Sequence, residues 1–250
     1  MYLTVQGLVL RATPYNDTDM LLSVLTRTHG KLTVKVRGLR RKSSPLTAPC
    51  QLLAFGEFTL FEYRGLHTVN EAHAIELFQG LRKDLSKLSL ATYFAQVADV
   101  ISLEDSPGPE ILSLTLNCLY ALCQPEAQLT KIKAAFEMRC ACISGYTPDL
   151  HGCCRCAAPM PDRFDISAGR LECNGCRSQD SNGIRMPLSS GCLDALRYLV
   201  SCDPKRLLSF RLGDENLSEL SQLTESYLMT QLERSFSALD FYKSVMIENI

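Results

Sequence analysis

The sequence has no apolar run approaching the roughly 18 residues needed to cross a bilayer, so a membrane-spanning helix is not expected. Its first residues, MYLTVQGLVLRATPYNDTD, lack the basic flank, long apolar block and small-residue cleavage site of a secretory leader. These two absences predict a cytoplasmic protein with no membrane partner. The chain also has no large charge of one sign: its formal net charge is −1, which alone suggests no polyanionic partner. It has no internal repeat and no low-complexity tract. Walker loops, Rossmann glycine fingerprints, nucleophile elbows and HExxH helices are all missing. The four histidines, His29, His67, His73 and His151, are scattered and form no pair with metal or catalytic spacing, and the acids are dispersed as well. A binding protein, not an enzyme, is expected.

What the chain has is 250 residues, 46% of them hydrophobic, enough to bury one large core or two to three smaller ones. It also has twelve cysteines. In a reducing compartment these are buried, metal-bound or reactive rather than disulfide-bonded. Cys118, Cys123, Cys140, Cys192 and Cys202 fall in helical apolar patterns, where cysteine behaves as a small hydrophobe. Four others stand apart, in the pattern Cys153-x2-Cys156-x16-Cys173-x2-Cys176. Each C-x2-C sets two thiolates on one tight knuckle, and two knuckles close a tetrahedron around one zinc ion. Four protein ligands leave no open coordination position, so the ion is expected to be structural. Cys154, the fifth local thiol, matches neither knuckle and reads as a bystander.

Up to about residue 80 the pattern is that of strands. Leu3–Ala12, Asp19–Thr26 and Lys31–Val36 are short, β-branched and partly alternating, with a tight turn at Thr28-His29-Gly30. Gln51–Tyr63 and Leu66–Leu77 form a second hairpin around Arg64-Gly65. Five strands with one long loop after the third suit a small closed barrel. An OB-fold is the commonest such solution and an SH3-like barrel the alternative; alternation alone does not separate them. From Asp84 the period becomes helical, with segments to about Ile101, over Glu110–Cys123, near Gln128–Ser144 with Gly145 as C-cap, over Gly191–Val200 and from Asn216 to about Ser235. The expected organisation is α+β: a five-stranded barrel, OB-fold or SH3-like, over 1–80, a helical domain in two parts over 81–147 and 187–250, and a four-cysteine zinc insert over 148–186.

Charge is unevenly distributed. Residues 1–80 carry nine Lys/Arg against six Asp/Glu, a net of +3, whereas 189–250 carry six against nine, a net of −3. Much of the excess lies in KLTVKVRGLRRK, which holds Lys31, Lys35, Arg37, Arg40, Arg41 and Lys42 and no acid. On a strand, Lys31, Lys35 and Arg37 share one face, and the last three continue the track off the barrel. Such a line of cations suits a phosphate backbone, and Arg forks match phosphate oxygens. It also suits a solvated strand edge guarded by lysine. Tyr15, Phe55, Phe58, Phe61 and Tyr63 lie nearby but read as core or strand-surface residues, with no stacking role expected. Lys131, Lys133 and Arg139 mark a second, weaker cation group on the third helix, equally readable as a solvated helix face.

Several of these stretches resemble the bacterial DNA repair protein RecO family, over nearly the whole chain. Tyr15 and Asp19 stand in its Y-x-E-x-D stretch, with Asp17 in place of the glutamate. Thr26 and Gly30-Lys31 follow, then Arg37-Gly38-Leu39-Arg40-Arg41 and Ser43, then Leu66-His67-Thr68-Val69-Asn70-Glu71-Ala72. Phe136-Glu137, Gly145-Tyr146, Pro148 and Leu150 lead into the first knuckle, and Gly169-Arg170-Leu171-Glu172 into the second. Phe236-Ser237-Ala238-Leu239 is similar to the family's closing segment. Ala157 departs from it at a knuckle position where glycine is usual. The resemblance implies an N-terminal OB-fold, a helical domain and a zinc insert, in a cytoplasmic, nucleoid-associated protein of recombinational repair. It further implies binding of single- and double-stranded DNA, strand annealing, and action with RecR to let RecA displace single-stranded-DNA-binding protein. Finally, it implies that the acidic C-terminal tail of that protein docks on the helical domain, for which Lys131, Lys133 and Arg139 are the candidates here.

Overall fold

A computed structural model describes residues 1–104, 106–176 and 183–248, with the side chain of Glu248 excepted. Residues 177–182 of the expected zinc insert, and 105, 249 and 250 of the expected helical parts, lie outside the described residues. The chain divides into two compact units, residues 1–127 with 236–250, and residues 128–235.

In the first unit five strands form a closed barrel: β1 (Tyr2–Pro14), β2 (Met20–Thr26), β3 (Lys31–Val36), β4 (Phe55–Tyr63) and β5 (Leu66–Glu76). Their order is β1-β2-β3-β5-β4, with β1 antiparallel to both β2 and β4 and β3 parallel to β5. That closure, with its one parallel pair, is the OB-fold. The alternation expected on β3 is realised. Leu32, Val34 and Val36 enter the barrel core beside Val5, Val24, Phe58, Leu60 and Val69, while Lys31, Thr33 and Lys35 face outward. The β2–β3 turn is held by Thr26, whose Oγ1 donates to the Gly30 carbonyl at 2.8 Å and accepts from the His29 amide at 3.0 Å. Gly30 has φ +64° and lies against the backbone of Leu103 and Ser106, so a side chain there has neither the conformation nor the room.

Three helices complete this unit. The first, α1 (Leu85–Ile101), starts at Asp84, whose Oδ1 accepts from the Ser86 and Lys87 amides at 2.8 and 3.1 Å, a cap worth about 1 kcal/mol. It packs against β1, which explains why Leu8 and Leu10, outside the barrel core, are buried. The second, α2 (Pro109–Cys123), places Pro109 in its first turn, where a missing N–H is harmless. The last, α6 in this unit (Ser237–Glu248), returns from the end of the chain to α1. There Phe236 meets Tyr93 edge-on at 5.6 Å, and the Ala238 amide donates to Gln96 Oε1.

The second unit is built on α3 (Leu129–Ile143), packed by α4 (Ser190–Ser201) and α5 (Asp214–Leu232). Seven consecutive residues, Ile132 to Met138, are buried, so α3 is enclosed on all sides rather than along one stripe. A four-stranded sheet in the order β6-β8-β7-β9 carries the cysteines, formed by β6 (Asp149–Cys153), β7 (Arg163–Asp165), β8 (Arg170–Glu172) and β9 (Arg185–Pro187). By contact, α1, α2 and α6 cluster with the barrel, and α3, α4 and α5 with the cysteine sheet. Among the described residues no helix is long and apolar enough to cross a membrane.

Candidate nucleic-acid interface and metal centre

The basic segment leaves β3 at Val36 and turns at once. Two loops are knitted together there, residues 15–19 between β1 and β2 and the segment from Arg37 onward, and Asp19 joins them. Its Oδ1 accepts the Gly38 amide at 2.9 Å, and its Oδ2 pairs with Lys35 Nζ at 3.1 Å and accepts Asn16 Nδ2 at 3.1 Å. The Gly38 amide first, and the Lys35 ammonium next, hold the Asp19 carboxyl far below the usual carboxylate range. Alongside, the Arg40 amide donates to the Thr18 carbonyl at 3.0 Å and its guanidinium to the Asn16 carbonyl at 3.1 Å. Leu39 and Leu46 pack against the barrel core from the apolar side of the same segment. A stretch of sequence dominated by charge is thereby given a defined shape.

The six cations expected to act together separate into two sets. Lys31 is held by Asp99 of α1: its Nζ lies 3.6 Å from Oδ1 and donates to the Asp99 carbonyl. Asp99 also accepts from Ser23 Oγ at 2.6 Å and pairs with Arg11 at 3.1 Å. Lys35 is paired with Asp19 and lies over the Tyr15 ring, 4.4 Å from its centroid. By contrast Arg37, Arg40, Arg41 and Lys42 are exposed, and among the described residues none of them makes an ion pair. The continuous track from strand to loop therefore contracts to the loop. Asp19 and Asp99 are what the sequence reading missed. The acid-free run hid them, because their carboxylates arrive from elements 16 and more residues away.

The two cysteine knuckles are brought together by pairing of β6 with β8, which sets Cys153 opposite Leu171. Cys153 ends β6, and Cys173 follows β8. The Cys173 amide donates to Cys153 Sγ at 3.3 Å, and the Cys176 amide closes its own knuckle on the Cys173 carbonyl at 3.0 Å. Ala157 closes the first knuckle with φ +58°, a left-handed conformation that favours glycine. The Sγ atoms of Cys153, Cys156, Cys173 and Cys176 all lie within 4.8 Å of one another, the one such group of potential metal ligands among the described residues. Cys156 and Cys173 are 3.8 Å apart. A tetrahedron with metal–sulfur bonds of about 2.3 Å has edges of about 3.8 Å, so the donor set fits a closed tetrathiolate site. Amide N–H groups, that of Cys156 first and Arg155 next, bring the Cys153 thiol down to about 6, whereas burial pushes the Cys173 thiol up to about 12 and the neighbouring Cys156 thiol pushes Cys176 up to about 11, so without a cation the four are not all thiolates. Cys154 directs its sulfur to Glu172, 3.8 Å away, and not into the cluster.

The second cation group does not form a patch. Lys133 is the clearest correction to the sequence reading. Its side chain is 4% exposed, and its Nζ is 2.9 Å from both Glu137 and Glu225, with Ser221 accepting as well. On an enclosed helix a lysine persists only when its charge is matched, so Lys133 is neither a solvated residue nor free for an acidic tail. Lys131 covers the Phe210 ring at 4.9 Å, and Arg139 donates to the Leu199 and Val200 carbonyls near the end of α4.

Comparison with known sequences adds to this geometry. Residues 1–78 match the family model described as recombination protein O N terminal, and residues 82–240 the one described as recombination protein O C terminal. The chain is 31% identical to the DNA repair protein RecO of Acetivibrio thermocellus, covering 98% of this chain and 97% of that one. It is 29% identical to the protein of the same name from Alkaliphilus metalliredigens, over 98% and 100%, and 30% to that of Desulforudis audaxviator, over 98% and 97%. With both halves matched in order and the OB-fold barrel closed as described, the chain belongs to the recombination protein O family.

Proposed function

We propose that this chain is a non-catalytic mediator of recombinational DNA repair that grips single- and double-stranded DNA by its phosphates. The observation that carries the reading is the set of four exposed cations, Arg37, Arg40, Arg41 and Lys42, on a loop that Asp19 and Thr18 anchor to the barrel. Phosphate contacts position a strand without reading its sequence, which is what an annealing protein requires. Lys35 sits at the loop's base with its charge shared, so it adds orientation more than attraction. In this reading the protein anneals complementary strands and, with RecR, promotes RecA loading on DNA coated by single-stranded-DNA-binding protein. A strand-annealing assay with and without that coat tests it. Wild-type protein is expected to accelerate annealing in both, and R37E/R40E/R41E to lose the acceleration. Equal rates for the two proteins would remove the loop from the account. If RNA and DNA oligonucleotides compete equally, repair is not what the loop serves.

The same reading assigns one zinc ion to Cys153, Cys156, Cys173 and Cys176, with a structural role, because metal-binding energy at a closed site is folding energy. Elemental analysis is expected to give one zinc per chain. Metal well below that, with all four thiols titrating freely, would overturn the assignment. Docking of an acidic protein tail on the second unit is left with Lys131 and Arg139 as its cations, since Lys133 is already matched.

A further inference from the structure

Four aromatic residues of the barrel and its loops are not in the core. Tyr2, Tyr15 and Tyr63 are 63%, 56% and 61% exposed, and Phe61 is exposed too, whereas Phe58 is fully buried. The barrel register puts most of these on one outward surface. Reading across the strands, Lys35 of β3 is opposite Thr68 of β5, Thr68 opposite Phe61 of β4, and Phe61 opposite Tyr2 of β1. At about 4.8 Å per strand, this row runs roughly 14 Å from the lysine to the last ring. The flanking residues Val34, Val36, Leu60 and Val69 point into the barrel core, which fixes the row outward. Phe61 and Tyr2 already stack obliquely, with centroids 5.3 Å apart. Tyr63 lies two residues beyond Phe61 on the same face, and the Arg64 guanidinium sits 5.2 Å from its ring centroid.

We infer that this surface is a stacking platform for the unpaired bases of a single strand, with Phe61, Tyr63 and Tyr2 as the rings and Lys35 and Arg64 at its edges. The inference rests on the reading of the loop as a phosphate grip and extends it to the bases. Exposed rings without such a use are a liability on a β-surface. Charge selects the occupant. The strand residues of the row from Lys35 to Tyr2 include no acid; Asp19 shares the charge of Lys35, and the lysine end continues along β3 into Arg37 and the exposed loop cations, which supply the free charge. Of the acids of β4 and β5, the exposed Glu62 alternates to the other side of the strand between Phe61 and Tyr63, Glu71 sits opposite Thr59, and Glu57 lies opposite His73 beyond it. A strand held by its phosphates at the loop would thus carry its bases onto rings flanked by cations, the pairing of charge and π-face that suits single-stranded nucleic acid. A duplex keeps its base faces stacked inside and gains nothing from the rings.

The test is F61L/Y63L, which keeps apolar bulk on the strand and removes two π-faces. Binding of fluorescein-labelled oligo(dT) and of a blunt duplex of equal length is measured by anisotropy over a salt series, with R37E/R40E/R41E in parallel and thermal melts as a folding check. The expected result is a loss on the order of tenfold for oligo(dT), little change for the duplex and an unchanged salt slope. Because the chain has no tryptophan, tyrosine emission gives a second readout. Its quenching by oligo(dT) is expected to diminish in Y2L and in Y63L taken singly. Unchanged oligo(dT) affinity in a folded variant overturns the platform, as does an equal loss on both DNAs. If the arginine reversal is also silent, the phosphate grip itself has failed. If only the arginines matter, the grip stands and the platform falls.

Discussion

Two groups of cations in this chain look alike in sequence and differ in the fold. The run from Lys31 to Lys42 ends in four exposed charges on a loop, whereas Lys131, Lys133 and Arg139 are each engaged within their own unit. The difference is one of position. A loop leaving a barrel strand has solvent around it, so its charges stay exposed even where, as with Arg40, one hydrogen bond ties the side chain to a neighbouring loop. A helix at the centre of a unit must bury whatever it carries, so Lys133 exists only as the partner of Glu137 and Glu225. Availability of a charge is a property of the surrounding elements, and local charge density does not report it.

The strongest way to sharpen this contrast is Lys133→Met. It leaves Glu137 buried beside Glu225 with Ser221 and Thr224 as neutral neighbours, and it should destabilise by roughly 3–5 kcal/mol in urea unfolding. Burial already pushes the Glu137 carboxyl above its ordinary value, and loss of the lysine pushes it further. A group whose pKa is raised on folding contributes stability when protonated and loses it as pH rises. The deficit of the variant is therefore expected to be largest near neutrality and to narrow on acidification toward pH 5. A deficit that does not depend on pH would mean that packing, not charge, is what Lys133 supplies.

Next in size is R37E/R40E/R41E, for which DNA affinity should fall by on the order of tenfold or more, with the salt slope lower by about 2 on single strands and nearer 3 on duplex. Stability should fall by no more than about 1 kcal/mol, the worth of the Arg40–Asn16 hydrogen bond, because these side chains pair with no acid among the described residues. A smaller effect is expected of Asp19→Asn, but its sign is the informative part. Removing a negative charge beside a phosphate site should tighten binding if only net charge matters. If Asp19 acts by anchoring Gly38 and Lys35, binding should weaken by a few-fold despite the gain in positive charge. The depressed Asp19 carboxyl means that this anchor is intact above the ordinary carboxylate range and is lost only in strong acid, so wild-type binding should show no Asp19 titration between pH 5 and 8. The smallest effect belongs to Lys131→Ala, which uncovers one ring and should shift stability by no more than about 0.5 kcal/mol. A large loss there would show that the second group is more than a set of local contacts.

Much of the architecture was readable because it is written locally. The bounds of β3 follow from KLTVKV, and α1 begins where Asp84 offers a cap. α2 begins at Pro109, one residue before the expected Glu110, and Gly145 closes α3 with φ +88°. The cysteine spacing named four thiols that do converge. The tail after Phe236 was less readable, because α6 owes its place to Tyr93 and Gln96 some 140 residues earlier. The stripe on α3 was seen, but not that the remaining sides would be covered as well.

By itself the sequence determined the period of each element, the turn at Gly30, the two cysteine knuckles and the existence of an acid-free basic run, since each depends on residues within a few positions. Only the tertiary structure decided the parallel pairing of β3 with β5 that makes the barrel an OB-fold, the pairing of Lys31 with Asp99 and of Lys35 with Asp19, and the burial of Lys133. It also aligned Lys35, Phe61 and Tyr2 in one row. Those outcomes depend on which faces meet across long stretches of chain, and a one-dimensional pattern carries the period of a face but not the identity of what it meets.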